Sequence, residues 1–283
     1  MSGNQSRDES ISPRDYARLC HLVYGRAGIH LGADRRMMLE ARIRRRLKDL
    51  ALSSYGAYCD YLFSEAGQRE EIDALIDVVT TNKTDFFREP SHFALLTERV
   101  LPALGDDSGD LTVWSAGCSS GEEPYTLAMV LSEYGQQHPE FRFRILGTDI
   151  SRIVLSRAEL AVYTSEVIEP VPPELRKKYL MRGREAGSAR FRVVPELRHL
   201  VEFRRLNLMD ADYGMASEAH IIFCRNVIIY FDRATQQKIL SRLARVLTPG
   251  GYLFVGHAET LHSLDLPLEP VAPALYRRSH AAA

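Results

Sequence analysis

The chain has 283 residues, 45% of them hydrophobic, with 36 Lys and Arg against 37 Asp and Glu and a formal net charge of -1. It is long enough for one large core or a large and a small one, and two domains are expected. The near-neutral balance excludes a generally polybasic nucleic-acid binder and leaves any attraction to a charged partner to local patches. Cys20, Cys59, Cys118 and Cys224 are widely separated and form no C-x-x-C pair, which argues against metal or disulfide use and for a reducing cytoplasm. The N-terminus is polar and no apolar run approaches the roughly 20 residues of a membrane span, so a soluble, non-exported protein is expected.

Residues 1–10 read as a disordered N-terminus. Structure is expected to begin at Ser12, which can cap a helix holding Pro13 and Asp15 in its first turn. Tyr16, Leu19, Leu22 and Val23 form its apolar stripe, and Gly28 is a plausible stop. A second helix, about Asp34 to Leu50, carries Leu39, Ile43, Leu47 and Leu50 on one face. Tyr55 to Phe63 and Glu70 to Thr81 add two more, giving a small all-helical N-terminal domain over residues 11–88 and a linker over 89–96.

Past Pro90, short β-rich runs alternate with helical stretches, the signature of a mostly parallel sheet with covering helices. Strands are expected at Leu111 to Ser115, Phe143 to Thr148, Val201 to Leu206, His220 to Cys224 and Tyr252 to Gly256. Helices are expected at Thr126 to Tyr134, Ile153 to Leu160 and Ala234 to Leu247, and Pro249-Gly250-Gly251 reads as a turn into the last strand. The fold class is therefore α/β, a doubly wound sheet over residues 97–283. Residues 170–200, with several prolines and the alternating Phe191-Arg192-Val193-Val194, read as a small antiparallel β insertion.

In such a sheet the ligand crosses the carboxyl ends of the strands, and the first strand-to-helix turn must approach it closely. That turn is Ala116-Gly117-Cys118-Ser119-Ser120-Gly121-Glu122-Glu123-Pro124-Tyr125. Its two carboxylates stand where a dinucleotide's pyrophosphate would need a helix N-terminus free of negative charge. A cationic ligand fits better, and S-adenosylmethionine, with its sulfonium and ammonium, fits where NAD does not. Asp149 ends the second strand, placed either to hold ribose hydroxyls or to cap the turn before Ser151. Asn207 and Arg225-Asn226 close the next two strands, so polar groups gather along one sheet edge.

Four stretches carry a family resemblance: Thr80-Thr81-Asn82-Lys83-Thr84-Asp85-Phe86-Phe87-Arg88-Glu89, the Gly117 to Tyr125 turn, Asn226-Val227-Ile228-Ile229-Tyr230-Phe231, and Pro249-Gly250-Gly251 through Gly256-His257-Ala258-Glu259. From about Tyr16 to Tyr276 the chain resembles the chemotaxis receptor methyltransferases, the CheR family. The resemblance implies a class I methyltransferase domain behind a helical N-terminal domain, and methylation of glutamates on the cytoplasmic helices of chemoreceptors. It implies that Asn82, Thr84, Arg88, Glu122, Asp149, Asn207, Leu208, Asn226 and Val227 contact S-adenosylmethionine, with Glu122 and Glu123 not distinguished by spacing, and that no metal is needed.

A substrate glutamate is already anionic at neutral pH, so no general base is required. Tyr230, just past the fourth strand, is the candidate that the resemblance implies for orienting the carboxylate, with ordinary aromatic packing against the sheet edge as the other reading. Arg35, Arg42 and Arg46 fall within a roughly 40° arc of the second helix. They form a basic ridge suited to a glutamate-rich receptor, with RNA or solvent as the other readings. The insertion resembles a subdomain that in some members binds a receptor's C-terminal peptide by strand addition. A monomer is expected, without nucleic acid or membrane insertion. The rival readings are a nucleic-acid methyltransferase, against which the chain lacks an Asn-Pro-Pro-Tyr type motif, and a non-enzymatic S-adenosylmethionine sensor.

Overall fold

The computed structural model describes residues 10–105, 110–183, 189–215, 219–262 and 264–279. The expected N-terminal disorder lies, for residues 1–9, outside the described residues, as does part of the insertion, 184–188. The chain forms two compact units. One runs to Thr81 and includes Tyr230–Asp232; the other comprises Asn82–Ile229 and the chain from Arg233 onward.

The first unit is helical. Helix α1 (Pro13–Ala27) starts where the Ser12 Oγ accepts the Asp15 N–H at 3.0 Å and stops at Gly28, φ 70°, whose N–H reaches the Tyr24 carbonyl. This is the left-handed ending that glycine adopts without steric cost. Helix α2 (Arg36–Asp49) follows a 3-10 turn and buries Leu39 and Ile43. Ser54 caps α3 (Tyr55–Leu62) and Ser64 caps α4 (Glu65–Glu70), and α5 (Ile72–Val79) buries Ile72, Leu75, Ile76 and Val79. Helix α4 was not expected, because Glu-Ala-Gly-Gln-Arg-Glu carries no apolar period for a pattern to find. It packs through Gly67, where a Cβ would lie 2.0 Å from the Tyr61 carbonyl oxygen.

The second unit opens with α6 (Ser91–Leu95), a π-helical turn (Leu96–Val100) and α7 (Leu101–Leu104). These residues are no linker, contrary to the sequence expectation for 89–96. Phe93 and Leu96 are buried in the same core as Val113, Phe223 and Phe254, and the boundary between the units falls after Thr81. Then follow β1 (Asp110–Ala116), α8 (Glu122–Gln137), β2 (Arg142–Asp149), α9 (Arg152–Leu160), β3 (Val162–Thr164), α10 (Pro173–Tyr179), β4 (Leu180–Arg182), β5 (Arg190–Val193) and α11 (Pro195–Arg198). The chain closes with β6 (Val201–Arg205), β7 (Ala219–Cys224), α12 (Arg233–Val246), β8 (Leu247–Val255), β9 (Leu268–Ala272) and β10 (Leu275–Arg278).

Seven strands form one sheet in the order β6-β2-β1-β7-β8-β10-β9. The first five are parallel to one another, and β10 pairs antiparallel with both β8 and β9. Chain order reverses at β1, between β2 and β7, which is the switch point where doubly wound sheets bind ligands. The sequence expectation lacked β9 and β10. Pro270 sits inside β9, and proline is tolerated there because that strand is the sheet edge. Pro249-Gly250-Gly251 lies within β8 rather than in a turn before it; Gly250 takes φ 79° and the pairing register with β7 slips there.

The antiparallel insertion is a three-stranded sheet, β3-β5-β4. It starts at Val162, ahead of the expected 170, because its first strand is three residues long and follows directly on α9.

Candidate functional site

The glycine turn between β1 and α8 sets the site's geometry. Its backbone turns through positive φ at Gly117 (84°), Ser119 (50°) and Gly121 (95°). Gly117 and Cys118 donate N–H groups to the Thr148 carbonyl at 2.8 and 2.9 Å, tying the turn to the end of β2. Glycine is required at two of these places by contact as well as by φ. A Cβ on Gly117 would lie 2.5 Å from the Val227 Cγ2, and one on Gly121 would lie 2.9 Å from the Ala158 Cβ.

Asp149 is buried and performs the turn-capping task that sequence left open. Its Oδ2 accepts the Ser119 N–H and its Oδ1 the Ser151 N–H, each at 2.9 Å. Ser119, to which no role was assigned, also donates its Oγ to the Asn82 carbonyl at 2.9 Å. That bond brings the Asn82 to Glu89 stretch against the glycine turn. Thr84 is half-buried on the same stretch, and Arg88 donates to the Lys83 carbonyl at 3.0 Å.

Adjacent acids at the head of α8 differ sharply. Glu123 accepts the Ser115 hydroxyl at 2.7 Å and pairs with Arg225 at 3.0 Å. Glu122 is buried with its two oxygens 3.0 and 2.8 Å from the Ser120 Oγ. Burial pushes its carboxyl above the usual carboxylate range, against the Ser120 bond. One hydroxyl proton leaves a carboxylate most of its acceptor capacity. Of the two, Glu123 is the one held in an ion pair, a distinction the spacing did not carry.

At the end of β7, the Arg225 guanidinium is buried and bonds the Glu89 Oε2 at 3.0 Å and the Arg88 carbonyl as well as Glu123. Asn226 follows in the left-handed region, φ 58°. Its N–H goes to the Glu259 Oε2 at 2.9 Å and its Nδ2 to the Glu89 Oε1 at 3.4 Å. Val227 meets the glycine turn at Gly117. After β6, the Asn207 Oδ1 accepts the Met209 N–H at 3.0 Å, and the carbonyl of the buried Leu208 accepts the Tyr213 hydroxyl at 3.1 Å. Glu89 and Glu259 each end one of the quoted motifs, yet sequence offered no role for them, since most of their partners lie in loops distant in sequence.

Glu89, His92 and His257 place potential ligand atoms within 4.8 Å of one another. His92 is fully buried, and burial pushes its pKa down to about 4. The Glu89 oxygen nearest His92 already takes two Arg225 N–H groups. That fixed positive charge opposes a second cation, so this triad does not fit a metal.

Four expected site residues lie in the helical unit. Arg35 holds its guanidinium 5.6 Å from the centre of the Tyr230 ring, and the Tyr230 carbonyl accepts the His30 N–H at 3.0 Å. The expected basic ridge does not stand free. Arg42 donates to the carbonyls of Val78, Val79 and Thr80 at 3.0, 2.6 and 2.9 Å, capping the C-terminus of α5. Arg46 forks onto the buried Glu71 at 2.8 and 2.7 Å and reaches Asp49 at 2.9 Å. Helical spacing put these side chains in line, but their charge is spent inside the unit.

Residues 82–273 match the family model described as the CheR methyltransferase, SAM binding domain, and residues 14–80 match the CheR methyltransferase, all-alpha domain. The chain is 36% identical to a chemotaxis protein methyltransferase of Borreliella burgdorferi over 99% of this chain and 100% of that protein. It is 39% identical to chemotaxis protein methyltransferase 2 of Pseudomonas aeruginosa, covering 97% of this chain and 95% of the relative. The Escherichia coli chemotaxis protein methyltransferase is 39% identical, covering 90% and 87%.

Proposed function

This chain belongs to the CheR methyltransferase family and is an S-adenosylmethionine-dependent enzyme, and from that premise we propose that it methylates glutamate side chains on the cytoplasmic helices of chemoreceptors. The products are glutamate methyl esters and S-adenosylhomocysteine, and the role is chemotactic adaptation in the cytoplasm. Among the described residues, no helix is long and apolar enough to cross a membrane. Relatives aligned over nearly their whole length are named for chemotaxis, which supports a receptor as the substrate.

The observation that supports the cofactor assignment is the unequal fate of the two acids at the head of α8: Glu123 is paired with Arg225, while Glu122 is buried with the Ser120 hydroxyl on its oxygens. When bound, the cofactor supplies a methyl group on a sulfonium, which passes to a carboxylate oxygen as the sulfur keeps the bonding electrons. Glu122 holds the ligand's positive charge. Asp149 shapes the glycine turn and receives the ribose hydroxyls, while Asn207, Leu208, Asn226 and Val227 wall the adenosine and methionine parts. Asn82, Thr84 and Arg88 close the site from their side. Tyr230 is the candidate to orient the acceptor carboxylate. Alignment of nucleophile, methyl and sulfur is the main catalytic task, because the glutamate arrives ionised.

Transfer of labelled methyl from S-adenosylmethionine to purified receptor cytoplasmic fragments, followed by mild alkali, tests this. Alkali-labile label on the receptor, lost with Asp149→Ala, is the expected result. Alkali-stable label, or label on RNA alone, would overturn the ester; no label on any receptor fragment would overturn the substrate class.

A further inference from the structure

Glu259 is a carboxylate buried to 7% exposure, in the loop after β8. Its Oε2 accepts the Asn226 N–H at 2.9 Å and the Gly256 N–H at 2.6 Å, and its Oε1 accepts the Ile229 N–H at 3.2 Å. A single side chain thus gathers backbone donors from two loops, those that follow β7 and β8. Burying a carboxylate is costly unless it is well bonded. Only a group with two acceptor oxygens and no donor serves three N–H groups at once.

What this carboxylate holds is one of the left-handed non-glycine residues of the site. Asn226 sits at φ 58°, a conformation that costs energy in a non-glycine residue and persists only where its surroundings impose it. The two loops also touch directly, since a Cβ on Gly256 would lie 2.5 Å from the Asn226 Nδ2 and 2.9 Å from its backbone nitrogen. Next along the chain, Val227 packs against Gly117 of the glycine turn. From the other side, the Glu89 Oε1 accepts the Asn226 Nδ2 at 3.4 Å and the His257 N–H at 3.2 Å. The path from Glu259 to the cofactor turn is therefore contiguous: Glu259, Asn226, Val227, Gly117.

We infer that Glu259 is a positioning residue for the cofactor, fixing Asn226 in its left-handed conformation so that the Asn226-Val227 wall stands at the right distance from the glycine turn. This rests on the reading that Asn226 and Val227 contact S-adenosylmethionine. Glu259 itself touches neither cofactor nor receptor in this assignment. Its loss should therefore appear in cofactor binding and leave receptor binding alone.

The test compares Glu259→Gln with the full-length parent, measuring S-adenosylhomocysteine affinity by calorimetry, KM for S-adenosylmethionine, KM for the receptor fragment, kcat and the melting temperature. Glutamine keeps the shape but sets an NH2 group against one of the N–H donors. We expect the cofactor Kd and KM to rise about tenfold, the loss of one charge-assisted hydrogen bond, with the receptor KM unchanged. Glu259→Asp, which keeps the charge on a shorter stem, should recover part of that loss. Gly256→Ala displaces Asn226 with Glu259 intact and should give the same signature, so the inference stays testable if Glu259→Gln fails to fold. A lowered melting temperature with cofactor Kd and KM within about twofold of the parent in the folded variants would overturn it and leave Glu259 a structural residue. Asn226→Ala separates the two readings. If it leaves cofactor binding intact, the contact assignment itself falls; if it weakens binding while the Glu259 and Gly256 variants do not, only the positioning role falls.

Discussion

At the scale of single residues, Glu122 and Glu123 show how much neighbours decide. Both stand at the N-terminus of α8, where the helix dipole favours anions. Glu123 finds Arg225, 102 residues away in sequence, and Glu122 finds one serine hydroxyl. A carboxyl raised by burial binds its proton more tightly in the folded state than in the unfolded one. Its charge therefore destabilises the folded protein above the raised pKa, and that cost fades as pH falls to the ordinary value of 4.5. Glu122→Gln is accordingly expected to melt higher than the parent at neutral pH without cofactor. The gap should close in acid, and the variant should bind S-adenosylmethionine more weakly. Melting curves across that pH range, with and without cofactor, read this directly; a variant that melts lower at neutral pH would refute it. The position of Asp149 was legible in sequence because it closes a β-run after a glycine turn. Its two bonds to Ser119 and Ser151 were legible only in part, since the turn that carries Ser119 folds back from another strand.

Among the elements, legibility followed periodicity. The helices α1, α2 and α5 and the five parallel strands announced themselves by apolar spacing or by unbroken β-rich runs. The elements that sequence missed have patterns that are too short or are broken by proline, among them α4, α6, α7, α10, α11, β3 and the β9–β10 pair. The arginines of α2 expose a different limit. Spacing places Arg42 and Arg46 on one side of the helix, but whether a cation faces solvent or the next helix depends on packing that a helical wheel does not contain. Arg46 neutralises Glu71, which is 2% exposed and also accepts the Tyr58 hydroxyl at 3.1 Å. Removing one member of a buried pair strands the other charge. Arg46→Ala should lose about 3 kcal/mol of stability, read as a lower urea midpoint. Arg42→Ala should lose about 2 kcal/mol, because it bares the three carbonyls at the end of α5. If either variant kept the parent's midpoint while receptor methylation fell, the docking role would be restored to that side chain.

For the molecule as a whole, the net charge of -1 gives no long-range pull toward an acidic receptor. Attraction must therefore come from a local surface. With Arg42 and Arg46 engaged internally, the basic residues of α2 that remain exposed are Arg44, Arg45 and Lys48. Arg45 and Lys48 are three residues apart and so share one side of the helix. If this surface meets the receptor, reversing its sign must slow encounter without touching the chemistry. The double variant Arg45→Glu, Lys48→Glu is expected to lower receptor methylation at limiting receptor by about tenfold at low ionic strength. Salt should shrink the difference, because exposed charges are screened beyond a Debye length of about 10 Å at 0.1 M. Cofactor affinity and melting temperature should stay at the parent's values, since neither side chain is buried. A methylation rate unchanged at every salt concentration would remove α2 from the docking surface. A loss that persisted in high salt would mean that these residues make close contacts rather than steer, which would shift the effect from the association rate to the lifetime of the complex.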